Sequence, residues 1–230
     1  MTEQKIISSE NKPFIDWEQI DEVFLDMDGT LLDLHYDNYF WLEYLPVRYA
    51  EIRGLDAEQI RQQLHDRYQV MQGTLDWYCL EYWQRELDIE IVDLKREVLD
   101  RVRYRPQAEE FLQWLRRTGK RVVLVTNAHR WSIDLKFGRL DMRQYFDRIC
   151  SSHDYLAPKE TQEFWQALQE ELIFDKERTL FIDDNHDVLH SAKSFGIRHL
   201  WAIETPDMTK PPRASMDYHA ISNFRDVMND

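Results

Sequence analysis

The sequence is poor in cysteine, glycine and proline, with two, six and seven residues among 230. Two cysteines cannot build the framework of a small disulfide-rich secreted domain, so Cys79 and Cys150 are expected to be reduced thiols in a reducing compartment. Few glycines indicate few flexible loops and a high helix content. The longest aliphatic run, residues 122–125, is too short to cross a bilayer, and the first residues contain no apolar signal core. We therefore expect a cytoplasmic protein that does not enter membranes.

Positive charge is also scarce. There are 29 Lys and Arg against 43 Asp and Glu, giving a formal net charge of −14. Such a surface repels phosphate backbones, so a nucleic acid polymer is not an expected partner. A small anionic substrate stays possible, because salt screens surface fields beyond about 8 Å and a local cationic site can capture it. The 43% hydrophobic content excludes wholesale disorder and supports one sizeable core, with or without an inserted lobe.

Short apolar runs alternate with amphipathic segments through much of the chain. Such runs, typical of buried strands, occupy residues 23–25, 122–125, 148–150, 179–182 and 199–203. The segments around residues 109–117, 164–172 and 188–195 carry apolar residues at helical spacing. Alternation of this kind predicts an α/β fold with a parallel sheet covered by helices.

Residues 35–104 interrupt the alternation and contain no convincing strand. Their pattern predicts helices over residues 37–53, 57–72, 75–87 and 91–103. We therefore expect an all-helical insertion after the first strand. The predicted domains are a core of residues 15–34 and 105–230 and a helical unit of residues 35–104. The polar, proline-containing stretch 205–215 is predicted to be loop.

The first predicted strand ends in two carboxylates, Asp26 and Asp28, which are followed by Gly29 and Thr30. Ligands of parallel sheets bind beyond the carboxyl ends of the strands. Two adjacent carboxylates at that edge suit nucleophilic attack and proton transfer, or coordination of a hard cation such as Mg²⁺. An ordinary turn has the same composition, so the motif alone leaves both interpretations open.

Polar residues also follow the later strands. Thr126 and Asn127 end the second, where a hydroxyl and backbone amides can cradle phosphate oxygens, although Asn127 alone would more simply cap the next helix. Lys159 lies in a polar loop, where it can neutralise phosphate charge or simply be solvated. A fourth group of polar residues follows the predicted strand 179–182 and consists of the acidic residues Asp183, Asp184 and Asp187. An acidic pair at a strand end requires a cation or hydrogen bonds.

These four groups, in this order, resemble the four motifs of the haloacid dehalogenase (HAD) superfamily. The stretch 26–30 is similar to the first motif, Thr126 to the second, Lys159 to the third, and Asp183 with Asp184 to the fourth. The resemblance implies a Rossmann-like HAD core, and the insertion has the position of a C1-type helical cap. One departure is Glu160, which follows Lys159 where many members have proline.

The resemblance also implies a mechanism and a cofactor. Asp26 would be the nucleophile that forms an aspartyl-phosphate, and Asp28 the general acid and then base. Thr126, Asn127 and Lys159 would bind the substrate phosphate. Mg²⁺ would be held by Asp26, the backbone carbonyl of Asp28 and Asp184, supported directly or through water by Asp183 and Asp187. An acidic residue at position 28 favours phosphoester hydrolysis over dehalogenation, because halide leaves without a proton.

Stretches 26–34, 37–41, 75–80, 126–129, 179–184 and 195–198 resemble the bacterial GMP/IMP nucleotidase family more closely. That likeness implies hydrolysis of purine nucleoside 5′-monophosphates. Possible contacts to the base or within the cap are Asn38, Trp41, Trp77, Tyr78 and His129. Aromatic residues of the insertion either stack on a base or simply pack a small helical core. A phosphatase for a sugar or other small phosphate, a phosphotransferase or mutase, and a non-catalytic ligand-binding protein remain alternatives, and the oligomeric state is open.

Overall fold

The computed structural model describes residues 14–213 and 217–229 and contains one six-stranded parallel sheet. The strands are β1 (Glu22–Leu25), β2 (Arg121–Thr126), β3 (Arg148–Ser151), β4 (Thr179–Asp183), β5 (His199–Ile203) and β6 (His219–Ile221). Their spatial order is β3-β2-β1-β4-β5-β6. The α/β class and the five predicted strands are confirmed. The edge strand β6 was not predicted, because three residues are too few to show a pattern.

Helices cover both faces of the sheet because successive strand residues point to opposite sides. On one face Val23 and Leu25 pack in a core that also contains Phe111, and on the other Phe24 packs in a core that contains Phe164. The helices that follow the insertion are α7 (Ala108–Thr118), α8 (Arg130–Arg139), α9 (Gln162–Glu171) and α10 (His186–Phe195).

The insertion between β1 and α7 contains no strand in its described residues, 35–104. Its helices are α1 (His35–Tyr39), α2 (Leu45–Arg53), α3 (Ala57–Met71), α4 (Leu75–Tyr78), α5 (Leu80–Leu87) and α6 (Ile91–Glu97). A π-helical turn, Phe40–Tyr44, joins α1 to α2. The predicted helix over residues 75–87 is in fact two helices, because Cys79 has an extended backbone. The buried side chains of the insertion are continuous with the first core of the sheet.

Residues 205–213 form bends and a turn with no helix or strand, as predicted, while residues 214 and 215 of that predicted loop lie outside the described residues. No helix in the described ranges is both long and apolar enough to span a bilayer.

Candidate active site

The nucleophile candidate follows β1 directly. The Asp26 backbone N–H donates to the Ile182 carbonyl at 3.0 Å, which extends the pairing of β1 with β4 by one residue. The chain then turns at Gly29, whose φ of +86° lies in the left-handed region. A Cβ at Gly29 would be 2.7 Å from Cγ of Asp184, so only glycine lets the turn approach this carboxylate. The turn after β1 and the end of β4 are therefore held together at one place.

Lys159 is a buried cation shared by two carboxylates. Its Nζ donates to Asp26 Oδ1 at 2.7 Å, to Asp183 Oδ2 at 2.6 Å and to the Val125 carbonyl at 3.1 Å. Burial lowers the pKa of Lys159, but the charges of Asp183 and Asp26 outweigh that effect and raise the pKa above its usual value. The ammonium group is therefore charged under ordinary conditions, and it fixes one oxygen of Asp26.

Three carboxylates, Asp26, Asp183 and Asp184, place ligand oxygens within 4.8 Å of one another. Burial raises the pKa of Asp184 well above its usual range, and the charges of Asp183 and Asp26 raise it further. Lys159 and Arg213, which lies 3.6 Å from Asp184, only partly offset this repulsion. Converging hard oxygen ligands with excess negative charge are the donor set that suits Mg²⁺, so these residues fit the ion that the sequence predicted.

The two predicted supporting ligands of Mg²⁺, Asp183 and Asp187, differ in their position relative to the three converging carboxylates. Asp183 belongs to the converging group, whereas Asp187 is exposed in the first turn of α10 and lies outside it. The Asp28 carboxylate also lies outside the group. Any contribution of Asp28 to a metal would therefore come from its backbone carbonyl, which leaves the side chain available for proton transfer.

The Asp28 side chain belongs to a buried network of four charges that the sequence analysis missed. Lys136 Nζ, on α8, lies 2.6 Å from Asp28 Oδ1 and 2.6 Å from Asp37 Oδ2. Asp37 Oδ1 is in turn 3.0 Å from Nζ of Lys95, on α6. Burial raises the pKa of Asp28, as do the charges of Asp37 and Asp26, while Lys136 opposes the shift. A raised pKa suits a general acid, which must carry its proton at the operating pH.

The end of β2 presents Thr126 to the site. Its Oγ1 accepts a hydrogen bond from Ala128 N–H at 3.1 Å, which leaves the hydroxyl proton free for another acceptor. The simpler interpretation of Asn127, as the cap of α8, is wrong. The N-cap of α8 is His129, whose Nδ1 accepts a hydrogen bond from Trp131 N–H. Instead, Asn127 Oδ1 accepts from Lys159 N–H at 2.9 Å and positions the lysine.

Glu160, the departure noted above, links three parts of the site. Its carboxylate accepts hydrogen bonds from Tyr78 Oη at 2.6 Å, from Asn127 Nδ2 at 2.9 Å and from Asn185 Nδ2 at 3.4 Å. Tyr78 belongs to the insertion, and the other two follow β2 and β4. A proline at this position could not make these contacts. Glu160 therefore joins the insertion to the sheet beside Lys159.

Asp26, Asp28, Thr126, Lys159 and Asp184 line one cavity of about 860 Å³, which is large enough for a nucleotide-sized ligand. Of the five possible base or cap contacts, Asn38, Trp41, Trp77 and Tyr78 line the cavity, and His129 does not. Asn38 Nδ2 donates to Asp207 at 2.8 Å, and the Tyr78 hydroxyl is held by Glu160, so both side chains already have partners.

The indoles of Trp41 and Trp77 are the cavity-facing members of an aromatic core with Tyr68 and Trp83. Their ring centroids are 6.3 Å apart with a 33° tilt. A third ring between them would need about 7 Å at ordinary contact distances, so the pair forms no slot. The packing interpretation thus holds for the cluster, and only the outer faces of Trp41 and Trp77 are available for stacking.

Known proteins that are similar to this chain are hydrolases, which agrees with the geometry of the site. A family model described as haloacid dehalogenase-like hydrolase matches residues 20–196. The chain is 35% identical over 211 residues to the GMP/IMP nucleotidase YrfG of Escherichia coli K12, covering 92% of this chain and 95% of that protein. It is 23% identical to an (S)-2-haloacid dehalogenase of a Pseudomonas species, covering 89% and 92%.

The chain belongs to the haloacid dehalogenase-like hydrolases. A solved structure, the HAD phosphatase from Thermococcus onnurineus, has the same fold with a TM-score of 0.75 at 19% identity, covering 90% of this chain and 95% of that one. The family match together with the nucleotidase relative makes this HAD-like protein a phosphoric monoester hydrolase.

Proposed function

We propose that this hydrolase converts purine nucleoside 5′-monophosphates, with GMP and IMP as the expected substrates, to nucleoside and phosphate with Mg²⁺ as cofactor. The nucleotidase relative, which is similar over nearly the whole chain, supports the substrate class. The observation that carries the proposal is a shared cavity: Asp26 and Lys159 line it together with Trp41 and Trp77. One pocket thus offers both a reactive end for a phosphate and flat apolar faces for a base.

Asp26 is the proposed nucleophile. Its Oδ1 is held by Lys159 at 2.7 Å, which leaves Oδ2 to attack phosphorus and form an aspartyl-phosphate. Lys159 and the Thr126 hydroxyl would bind the phosphate oxygens, and the Lys159 charge stabilises the negative charge that spreads over them during transfer. Asn127 contributes by holding the backbone of Lys159.

Asp28 is the proposed general acid and base. It would protonate the departing ribose oxygen and then accept a proton from the water that hydrolyses the intermediate. The 2.6 Å contact with Lys136 fixes its orientation. The alkoxide of a nucleoside is a poor leaving group, so proton donation by Asp28 matters most for this type of substrate.

Asp26, Asp184 and the backbone carbonyl of Asp28 would hold Mg²⁺, with Asp183 in direct support and Asp187, which lies outside the converging group, in support only through water. The bound ion supplies positive charge that offsets the repulsion between the attacking carboxylate and the phosphate.

Base recognition is assigned to the outer faces of Trp41 and Trp77 and to two residues that the sequence analysis missed, Gln69 and Gln72. Both glutamines line the cavity, and neither side-chain amide makes a hydrogen bond within the described residues. An amide offers a donor and an acceptor together, as reading the 6-oxo group and N1–H of guanine or hypoxanthine requires. Nothing in the sequence pattern distinguished them from other exposed helix residues.

Residues 35–104 are the proposed cap, over a core of residues 15–34 and 105–230. The insertion supplies one wall of the cavity through Asp37, Trp41 and Trp77, while the strand ends supply the other. Such a wall would exclude water from the phosphorylated enzyme.

The test is phosphate release from a panel of nucleoside monophosphates, sugar phosphates and p-nitrophenyl phosphate. GMP and IMP should have the highest kcat/KM. Replacing Gln69 or Gln72 by Ala should raise KM for GMP about 3–10-fold, since each substitution removes one hydrogen bond, without affecting p-nitrophenyl phosphate. Gln63→Ala, on α3 like Gln69 but outside the cavity, is the matched control. Equal kcat/KM for GMP and sugar phosphates would contradict the purine assignment.

A further inference from the structure

A second cluster of metal-ligating side chains lies outside the lining of the active-site cavity. The Sγ of Cys79 and ring nitrogens of His129 and His153 lie within 4.8 Å of one another. Cys79 joins α4 to α5 in the insertion, His129 precedes α8, and His153 lies in the 3-10 turn Ser152–Asp154 after β3. Three separate parts of the chain thus bring one sulfur and two nitrogens to a single point.

The Nε2 atom of His153 gives independent evidence of a missing ligand. It is buried and makes no hydrogen bond of ordinary geometry within the described ranges of the chain, although the backbones of Asn127 and Tyr78 lie close to the ring. A buried polar atom without a partner is costly, and in native proteins it usually signals an interaction that remains to be identified. The neighbouring ring of His129 is perpendicular to that of His153, with centroids 4.9 Å apart, and it offers no flat stacking contact that would compensate.

The burial of both imidazoles favours their neutral form. Burial lowers the pKa of His153 to about 4, and the adjacent His129 contributes to the shift. Burial also lowers the pKa of His129. Neutral rings present a nitrogen lone pair, as metal ligation requires.

The other two residues are held only by long contacts. Cys79 Sγ accepts a hydrogen bond from Tyr82 N–H at 3.4 Å, and His129 Nδ1 accepts from Trp131 N–H at 3.4 Å. Cys79 is the N-cap residue of α5, which begins at the next residue. Because these hydrogen bonds are long and weak, replacing them with metal coordination would cost little free energy.

We propose that Cys79, His129 and His153 form a second metal site, selective for a thiolate-preferring transition ion, Zn²⁺. One sulfur and two imidazoles suit zinc, whereas the carboxylates at Asp26 and Asp184 suit a hard cation. Binding releases the Cys79 thiol proton to solvent as the Zn–S bond forms, and a water molecule completes a tetrahedral set. The ion ties the insertion to the loops after β2 and β3, next to Tyr78 and Asn127 of the active-site cavity.

The experiment uses the full chain, reduced and stripped of metal, titrated with Co²⁺ as a spectroscopic probe. A near-ultraviolet thiolate-to-cobalt charge-transfer band should appear at one equivalent and disappear when Zn²⁺ displaces the probe. Cys79→Ser, which keeps a good helix N-cap, should abolish the band. In competition with a chromophoric chelator, Cys79→Ser and His153→Gln should each weaken zinc binding by at least about tenfold. Zinc should raise the melting temperature of the wild type and not of Cys79→Ser.

Two control variants separate this site from other ones. Cys150→Ala, at a buried cysteine of β3, and Asp184→Asn, in the acidic site, should both retain the cobalt band. The absence of a band in the reduced wild-type protein would overturn the proposal. So would a band that survives Cys79→Ser, or one that is lost in Asp184→Asn.

Discussion

The buried network of Asp28, Asp37, Lys95 and Lys136 gives the sharpest prediction for stability. Both lysine side chains are 1% exposed and Asp37 is 17% exposed, so solvent does little to compensate an unpaired charge. Asp37 contacts both ammonium groups, at 3.0 and 2.6 Å. Asp37→Asn keeps the side-chain shape but leaves two buried cations facing one carboxylate. Breaking a buried pair in this way costs about 3–5 kcal/mol.

The assay is urea unfolding of the wild type, Asp37→Asn and the double variant Asp37→Asn/Lys95→Met. The single variant should lose about 3–5 kcal/mol of unfolding free energy, or roughly 6–20 °C in melting temperature for a chain of this size. The double variant restores charge balance with an apolar side chain of similar length, so it should recover most of the loss. Asp93→Asn, which breaks the exposed pair with Arg96, is the matched control and should cause little change.

The effect should also depend on pH with a definite sign. Burial raises the pKa of Asp37, but Lys136 and Lys95 outweigh burial and lower it to about 2. A depressed pKa in the folded state means that this stabilisation is present above the unfolded pKa, near 4, and is lost as the pH falls towards 2. The wild type and Asp37→Asn should therefore differ less at pH 3 than at pH 7. A difference below about 1 kcal/mol at pH 7, or no recovery in the double variant, would refute the reasoning.

Three further predictions concern catalysis. Gly29→Ala should weaken Mg²⁺ activation and lower the free energy of unfolding by about 1–3 kcal/mol, because the new Cβ would lie 2.7 Å from Asp184 Cγ. Gly54 also has a positive φ but has open space around it, so the control Gly54→Ala should lower stability without changing Mg²⁺ activation. Equal Mg²⁺ activation in the two variants would contradict this explanation. Asp28→Asn should slow phosphoenzyme formation, measured as the burst of leaving-group release, about 10²–10⁴-fold with a nucleoside monophosphate and much less with p-nitrophenyl phosphate, whose leaving group departs without a proton. Equal losses in this first step would remove Asp28 as the acid. Removal of metal with EDTA should stop turnover and Mg²⁺ should restore it; a rate unaffected by EDTA would rule out the cation.

The sequence predicted the sheet and the convergence of Asp26 and Asp184 because strand ends of a parallel sheet share one edge. Lys159 lies in a loop, and only the HAD resemblance placed it in the site. It could not predict the charge network, since lysine is mostly exposed and the partners of Lys136 are distant in sequence: Asp37 is 99 residues away. A weak signal existed, because Lys136 follows Ile133 by three residues on the buried face of α8. Glu160 was recognised only as a departure, and its role in joining Tyr78 to Asn127 depends on tertiary contacts.

The most direct test of the central claim is an acid quench during turnover of a phosphate monoester radiolabelled on phosphorus. We expect label on the protein, released by hydroxylamine as an acyl phosphate should be, and mapped to the peptide that contains Asp26. Asp26→Asn should fold normally, carry no label and turn over at a rate lower by about 10⁴-fold or more. Substantial turnover by Asp26→Asn, or label on a different residue, would contradict the account.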